Sequence, residues 1–415
     1  MKNPRRAFLF RLLPAATASL ILLAGPTKAA LLSPLAPRPD WNRLQAYAGT
    51  ITAPEFRQLL DRVYVPDGSW KEWIALTPAQ ALITPGPGAP PIPLALAPST
   101  AAEGRPPRFW KGRAERTPSP GKPLSGLRIA IDPGHLGGRY ARMEARWFRI
   151  GWSRPVEEGE MTLLVAKLLK ERLEQLGAEV WLTRNSNGPT TGMRPGNLRN
   201  AAVASLAEEG VSPSRDRLQK EAERLFYRVA EIRNRARIVN ERLRPDLVVC
   251  LHFNAEEWGN PDRPSLTDKN HLHLLLSGAM SREELAHEDE RFTMLVKLLG
   301  GTHAEELGAS DAVARSLAGA TGLEPFAYHS AKAIPASPSN PYLWIRNLLA
   351  NRLFECPVVY CEPYVMNSRP AFTRIQLGDY PGRRNVGGRP LPSIYREYAD
   401  AVAQGLAEYY GRGAN

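Results

Sequence analysis

The chain has 415 residues, enough for one large domain with appendages or for two domains, and its 43% hydrophobic content is ordinary for a globular core. The formal net charge of +12 favours anionic surfaces, but the basic residues are spread along the chain, and neither paired strand aromatics nor a zinc-finger spacing is present, so no nucleic-acid partner is expected. Three cysteines exclude the dense disulfide framework of small secreted domains.

Residues 1–30 read as an export signal. Lys2, Arg5, Arg6 and Arg11 precede an apolar run from Leu12 to Gly25, and Lys28-Ala29-Ala30 offers a small-residue cleavage site. The run is short for a membrane span. Pro4-Arg5-Arg6-Ala7-Phe8-Leu9-Phe10 resembles a twin-arginine signal, which would mean export in the folded state; ordinary secretion is the other route. The expected location is the periplasm or cell envelope, with no stable membrane span once the signal is removed.

Residues 31–83 predict a small helical or α+β module. Thr52 caps a helix, Glu55 reaches back, and Phe56, Leu59, Leu60 and Val63 form its apolar face. Trp41, Trp70 and Trp73 suit its core better than a sugar-stacking surface. Residues 84–125 read as a linker, because Pro85-Gly86-Pro87-Gly88 and Pro118-Ser119-Pro120-Gly121 cannot sustain a helix or a central strand.

The main domain is expected over 126–415. Leu127, Ile129 and Ile131 alternate with Arg128 and Ala130, and Asp132-Pro133-Gly134 stops the run. His135 therefore stands at the C-terminal tip of a strand, where open α/β sheets place their ligands. A polar loop with Arg139, Arg142, Arg146 and Arg149 ends in Glu157-Glu158-Gly159-Glu160. A helix from about 161 to 176 follows, then a strand over 179–183 and a long basic helix from about 218 to 242. The apolar strand 247–251 runs directly into His252-Phe253-Asn254-Ala255. The alternation predicts an α/β fold, a mostly parallel twisted sheet with helices on both faces, preceded by the small module and the Pro-rich linker.

His271 and His273 share one face of a further strand and read as ordinary strand residues before metal ligands. Two helices are expected between 281 and about 320, then a helix carrying Arg346. The strand Val358 to Cys361 ends at Glu362, and an unpaired buried carboxylate there would be costly without a task. Cys250 and Cys361 read as free buried thiols; a bridge between them is open only if their strands are neighbours. A tail helix is expected over about 394–410.

In order, these motifs resemble the zinc-dependent N-acetylmuramoyl-L-alanine amidases of type 3, which cleave bacterial cell wall. The matching residues are Asp132-Pro133-Gly134-His135, Glu158 before Thr162-Leu163, Gly177 with Leu182-Thr183-Arg184, Arg235 with Asn240, His252-Phe253-Asn254-Ala255, and Pro357 to Glu362. The resemblance implies zinc held by His135, Glu158 and His252, with Glu362 as acid/base. Glu157 and Glu160 rival Glu158, with Glu160 second. Asn254 would orient groups near the metal or cap a turn, and Arg346 would hold a peptide carboxylate or be solvated.

The implied partner is peptidoglycan, together with a possible protein activator. Some relatives hold an inserted helix over the zinc as a plug, which would fall at 281–299 here. Leu136 displaces the usual Gly-Gly after the histidine, and Pro363-Tyr364 stands where the family has Gly-Phe after Glu362, so the substrate rim departs from the family pattern. Two other classes stay open, a carboxypeptidase-like envelope zinc hydrolase and a non-catalytic wall-binding protein.

Overall fold

A computed structural model describes residues 31–330 and 332–411, so the export signal expected at 1–30 lies outside the described residues. Among those described, no helix is long and apolar enough to cross a membrane.

The N-terminal part holds helix α1 (Ala53–Leu59) and the antiparallel strands β1 (Ile74–Leu76), β2 (Gln80–Ile83) and β3 (Ile92–Ala95). Thr52 caps α1 as its sequence requires, its side chain accepting from the Glu55 N–H. Trp41 and Trp70 are buried, and Trp73 lies under the Arg291 guanidinium at 3.6 Å, so these rings serve packing.

β3 lies inside the stretch read as a linker, and that reading needs correction. Pro93 is tolerated because β3 is an edge strand. Further along, Trp110 is buried beneath the Arg108 guanidinium at 3.7 Å. Asp246 accepts from the Lys111 N–H at 3.0 Å, from Arg116 at 3.1 Å and from the Arg128 side chain at 2.8 Å. Residues 84–125 are thus fastened to the main domain at several points.

The main sheet has eight strands: β4 (Arg128–Pro133), β5 (Glu179–Leu182), β6 (Leu247–Leu251), β7 (His271–Leu276), β8 (Glu324–Pro325), β9 (Ala333–Pro335), β10 (Leu343–Arg346) and β11 (Val358–Pro363). Their order is β9-β10-β7-β11-β6-β4-β5, with β8 beside β7. The block β11-β6-β4-β5 is parallel throughout. β7 pairs antiparallel with β11, and β9 with β10, which makes the sheet mixed.

Side-chain alternation divides the core between the two faces. Ile129, Ile131, Val249, Leu251, Val359 and Cys361 pack with helices α2 (Glu158–Gln175), α5 (Thr302–Thr321) and α6 (Ile394–Gly411). Ala130, Val248, Cys250, Val358 and Tyr360 face the other way, against Ala236 and Val239. Ala236 belongs to α3 (Glu231–Arg237), part of a helical run over 215–243 that includes π-helical turns at Leu225–Ala230 and Ile238–Leu243.

Register explains the cysteines. Cys361 pairs with Leu251 and Tyr360 with Cys250, so the two thiols sit on opposite faces of adjacent strands. All three cysteines are free and buried.

Candidate metal centre

β4, β6 and β11 are parallel neighbours, so their C-terminal ends open onto one edge of the sheet. His135 follows β4, His252 follows β6, and Glu362 sits near the end of β11. The turn at His135 is strained, with φ of 58° in the left-handed region. Its neighbours hold it in place. Arg184 donates to the carbonyls of Pro133 (3.0 Å), Gly134 (3.1 Å) and Gly159 (2.6 Å). Arg235 donates to those of Pro133 (2.7 Å) and His135 (3.1 Å), and the Thr162 hydroxyl to Gly134 (2.7 Å). A Cβ on Gly134 would fall 2.2 Å from the His252 ring, so this position admits glycine alone.

Glu158 opens α2 and is 1% exposed. Its Oε1 accepts from the Phe253 N–H at 3.1 Å and lies 3.2 Å from His252 Nδ1. Its Oε2 is buried without a hydrogen bond, 3.4 Å from His135 Nε2 and 3.0 Å from Arg146 Nε. Among the described residues, His135, Glu158 and His252 bring one ligand atom each within 4.8 Å of one another. Two ligand atoms at ~2.0–2.2 Å from a tetrahedral ion stand roughly 3.3–3.6 Å apart, so the His135–Glu158 spacing suits one. Two imidazoles and a carboxylate, whose buried Oε2 receives no hydrogen bond, fit zinc.

The electrostatics of His135 and Glu158 agree with that donor set, while those of His252 run the other way. Burial lowers the His135 pKa although Glu158 and Glu144 oppose it, which favours the neutral, ligating imidazole. Burial alone would raise Glu158, but His135 and the His252 hydrogen bond outweigh it and bring the carboxyl down to about 2. His252 is likewise buried, yet its bond to Glu158 and the charge of Glu362 raise it. Glu362 goes up to about 7, chiefly through burial and despite the attraction of His252.

Glu157 and Glu160 lose their claim as ligands: Glu157 accepts from the Gly138 N–H at 2.6 Å, and Glu160 is exposed. Asn254 makes two local contacts, neither of them to the metal cluster. Its Oδ1 accepts from the Ala255 N–H at 2.7 Å, and its amide nitrogen stands 3.4 Å from His273 Nδ1. Arg346 lies on β10 and not on a helix, because the pairing of β10 with β7 buries Leu343 and Ile345 at a period of two. It donates to the Tyr328 hydroxyl at 3.3 Å, and Tyr328 in turn meets His273 Nε2 at 3.0 Å.

Neither His271 nor His273 joins the metal cluster. The helices of 281–320 form no plug over the centre: none of their residues lines the cavities there. They are three in number, Arg282–Leu285, α4 (Glu288–Gly300) and α5, and their apolar side chains pack into the core.

Three neighbours of the centre had no role in the sequence reading. Glu144 Oε2 lies 2.7 Å from His135 Nδ1, so that Nε2 faces the cluster, where Arg146 Nε donates to it at 3.4 Å. Arg146 sits beside Glu158, and the Tyr360 ring stacks on His252 with centroids 4.6 Å apart. Period-two alternation puts Tyr360 and Glu362 on one face of β11 and was the signal available for that ring; nothing comparable marks Glu144. Two cavities of about 350 and 260 Å³ flank the centre, and His135, Arg146, Arg346 and Glu362 line both.

Residues 129–263 match the family model described as N-acetylmuramoyl-L-alanine amidase. No protein of curated function matches the sequence. Among solved structures, the amidase Ami1 of Mycobacterium abscessus is 18% identical, with 69% of this chain and 99% of that one covered at a TM-score of 0.38. Ami1 of Mycobacterium smegmatis is 16% identical, covering 69% and 98% at 0.39. The amidase AmiC2 of Nostoc punctiforme is 16% identical, covering 69% and 99% at 0.35. The match over 129–263 takes in β4, α2 and β6, the elements that position His135, Glu158 and His252.

Proposed function

We propose that this chain hydrolyses the amide bond between the lactyl group of N-acetylmuramic acid and L-alanine of the stem peptide in peptidoglycan, with zinc held by His135, Glu158 and His252. The observation that carries this reading is the cluster of two imidazoles and a carboxylate whose buried Glu158 Oε2 accepts no hydrogen bond. A zinc ion bound there would supply Lewis acidity, polarising the scissile carbonyl and lowering the pKa of a water to about 7.

The chain's own residues do the rest. Glu144 fixes the tautomer and orientation of His135. Glu362, at the end of the neighbouring strand, takes the proton from the attacking water and returns it to the leaving amine nitrogen. A carboxyl raised to about 7 can do both near neutral pH. The cavities on either side give room for the glycan and peptide arms of the substrate. Export to the periplasm or cell envelope belongs to the same proposal, since the polymer lies outside the cytoplasm.

The test is mass spectrometry of soluble products after zinc-loaded protein is incubated with purified peptidoglycan, beside a Glu362→Gln sample. Stem peptides with a free L-alanine amino terminus, absent with the variant, are expected. Fragments with the sugar–peptide bond intact, or no products, would remove the assignment.

A further inference from the structure

The helical run 215–243 carries a pattern that the metal centre does not use. Arg217, Lys220, Arg224 and Arg228 follow at spacings of three, four and four residues, which keeps them on one face. The π-helical turn at Leu225–Ala230 then brings Tyr227 and Arg228 to the cavity at the metal centre.

Three hollows lie along this face. One of about 430 Å³ is lined by Arg217, Lys220, Arg224 and Tyr227. A second of about 260 Å³ is lined by Arg224, Arg228, Arg233 and Arg352. The cavity of about 350 Å³ at the metal centre shares Tyr227 with the first and Arg228 with the second. The hollows therefore adjoin, and together they lead away from the centre.

Part of this charge is already matched. Arg224 pairs with Glu221, Arg233 with Asp289, and Arg352 with Glu290. Arg217, Lys220 and Arg228 are exposed and form no ion pair with a carboxylate among the described residues; Arg217 donates to the Ser212 carbonyl. The acidic side chains also facing the two outer hollows are Glu223, bonded by Gln219, and Glu284, while Asp132, Glu144, Glu231 and Glu362 line the cavity at the metal centre. Unmatched cations thus mark both ends of the path, Arg217 and Lys220 far from the centre and Arg228 at its mouth.

We propose that this face binds carboxylate groups of stem peptides next to the one being cleaved, on the same polymer, so that the chain grips peptidoglycan at more than one peptide. The inference rests on the amidase reading above. It follows from charge complementarity and from continuity with the catalytic cavity: stem peptides recur along a glycan strand and carry free carboxylates. Each exposed cation contributes little alone, so the effect is a summed, salt-sensitive one.

The test uses the full chain carrying Glu362→Gln, with and without R217Q/K220Q, in pelleting assays on phosphate-free sacculi. The double variant is expected to bind about 3- to 10-fold more weakly at low salt. That difference should vanish at about 0.5 M salt, where screening shortens to roughly 4 Å, and on sacculi whose carboxyls have been amidated. With Glu362 restored, hydrolysis of a soluble single muramyl peptide should be unchanged by the double variant.

Equal binding of the two proteins would overturn the proposal, as would a difference that persists on amidated sacculi. So would weakened binding confined to vesicles of phosphatidylglycerol, which would assign the face to lipid phosphate. Loss of hydrolysis of the soluble peptide in the double variant would place the face within the catalytic site and also overturn it. Failure of the unsubstituted protein on the soluble peptide would instead remove the amidase reading itself.

Discussion

Glu144 offers a sharp test of the metal centre, because its carboxylate lies against the proposed ligand His135. It is 6% exposed and sits just after the short helix Arg139–Met143, with Oε2 2.7 Å from His135 Nδ1. A carboxylate there requires the proton on Nδ1, which turns the lone pair of Nε2 toward Glu158 and raises its basicity. Glu144→Ala removes that acceptor and leaves a buried N–H unpaired and the ring free to turn. Loss of such a partner weakens metal binding about 10- to 100-fold, or ~1.4–2.7 kcal/mol. Glu144→Gln keeps an acceptor oxygen without the charge and should fall between. Zinc affinity would be measured by competition with a chromophoric chelator, with circular dichroism to confirm folding. A folded Glu144→Ala protein that binds zinc as tightly as the parent would refute the argued role. A parent that binds no zinc at all would refute the centre.

Three further outcomes follow from the packing. Gly134→Ala drives a Cβ into the His252 imidazole at 2.2 Å, so it should abolish stoichiometric zinc binding in a protein whose circular dichroism is retained; full occupancy by metal analysis would contradict this. Lys297 and Glu306 form a fully buried ion pair, with Lys297 also donating to the Phe354 and Cys356 carbonyls, so Lys297→Met should cost about 3–5 kcal/mol in denaturant unfolding. The double change with Glu306→Leu should recover most of that loss, and no recovery would point to packing and not charge. Burial would raise Asp246, but hydrogen bonds from Arg128 and the Lys111 N–H overcome it and depress its folded pKa. Its stabilisation is therefore present above the unfolded carboxyl value of about 3.9 and lost as pH falls through the folded value. Asp246→Asn should cost about 2–3 kcal/mol at pH 7, and the gap should close below about pH 4; a gap that stays constant with pH would refute the linkage.

How much of this was legible depends on whether a residue's place is set by a local pattern or by a distant partner. His135, His252 and Glu362 each end an apolar run, and an apolar run that stops at a polar residue already says strand end. Glu158 was harder, since Glu157, Glu158 and Glu160 all stand at the start of one helix. The angular step along the chain decides between them: Glu158 turns inward, while Glu157 reaches the Gly138 N–H. Glu144 and Arg146 were not legible as site residues. They lie where the chain has no period, and their positions come from the pairing of Trp147 with Glu157, which is not written in either segment alone. β3 was hidden by its own Pro93, tolerable only because no strand among the described residues pairs with its outer edge.

Register is the deeper reason for what could not be read. The sequence shows that Cys250 and Cys361 both lie in buried strands and that a side chain changes face with every residue. It does not show that Cys361 stands opposite Leu251, and that one-residue offset is what separates the thiols by the thickness of the sheet. The same offset arranges the chemistry. With Tyr360 opposite Cys250, β11 extends just far enough for Tyr360 to stack on His252 and for Glu362 to line the cavities beside it. A slip of one residue would turn Glu362 toward the face packed by α2, α5 and α6, where a carboxylate would have no water to act on. On the proposed mechanism the metal ligands could then assemble unchanged while the acid/base was lost, so the catalytic competence of this edge would be a property of strand pairing as much as of the residues themselves.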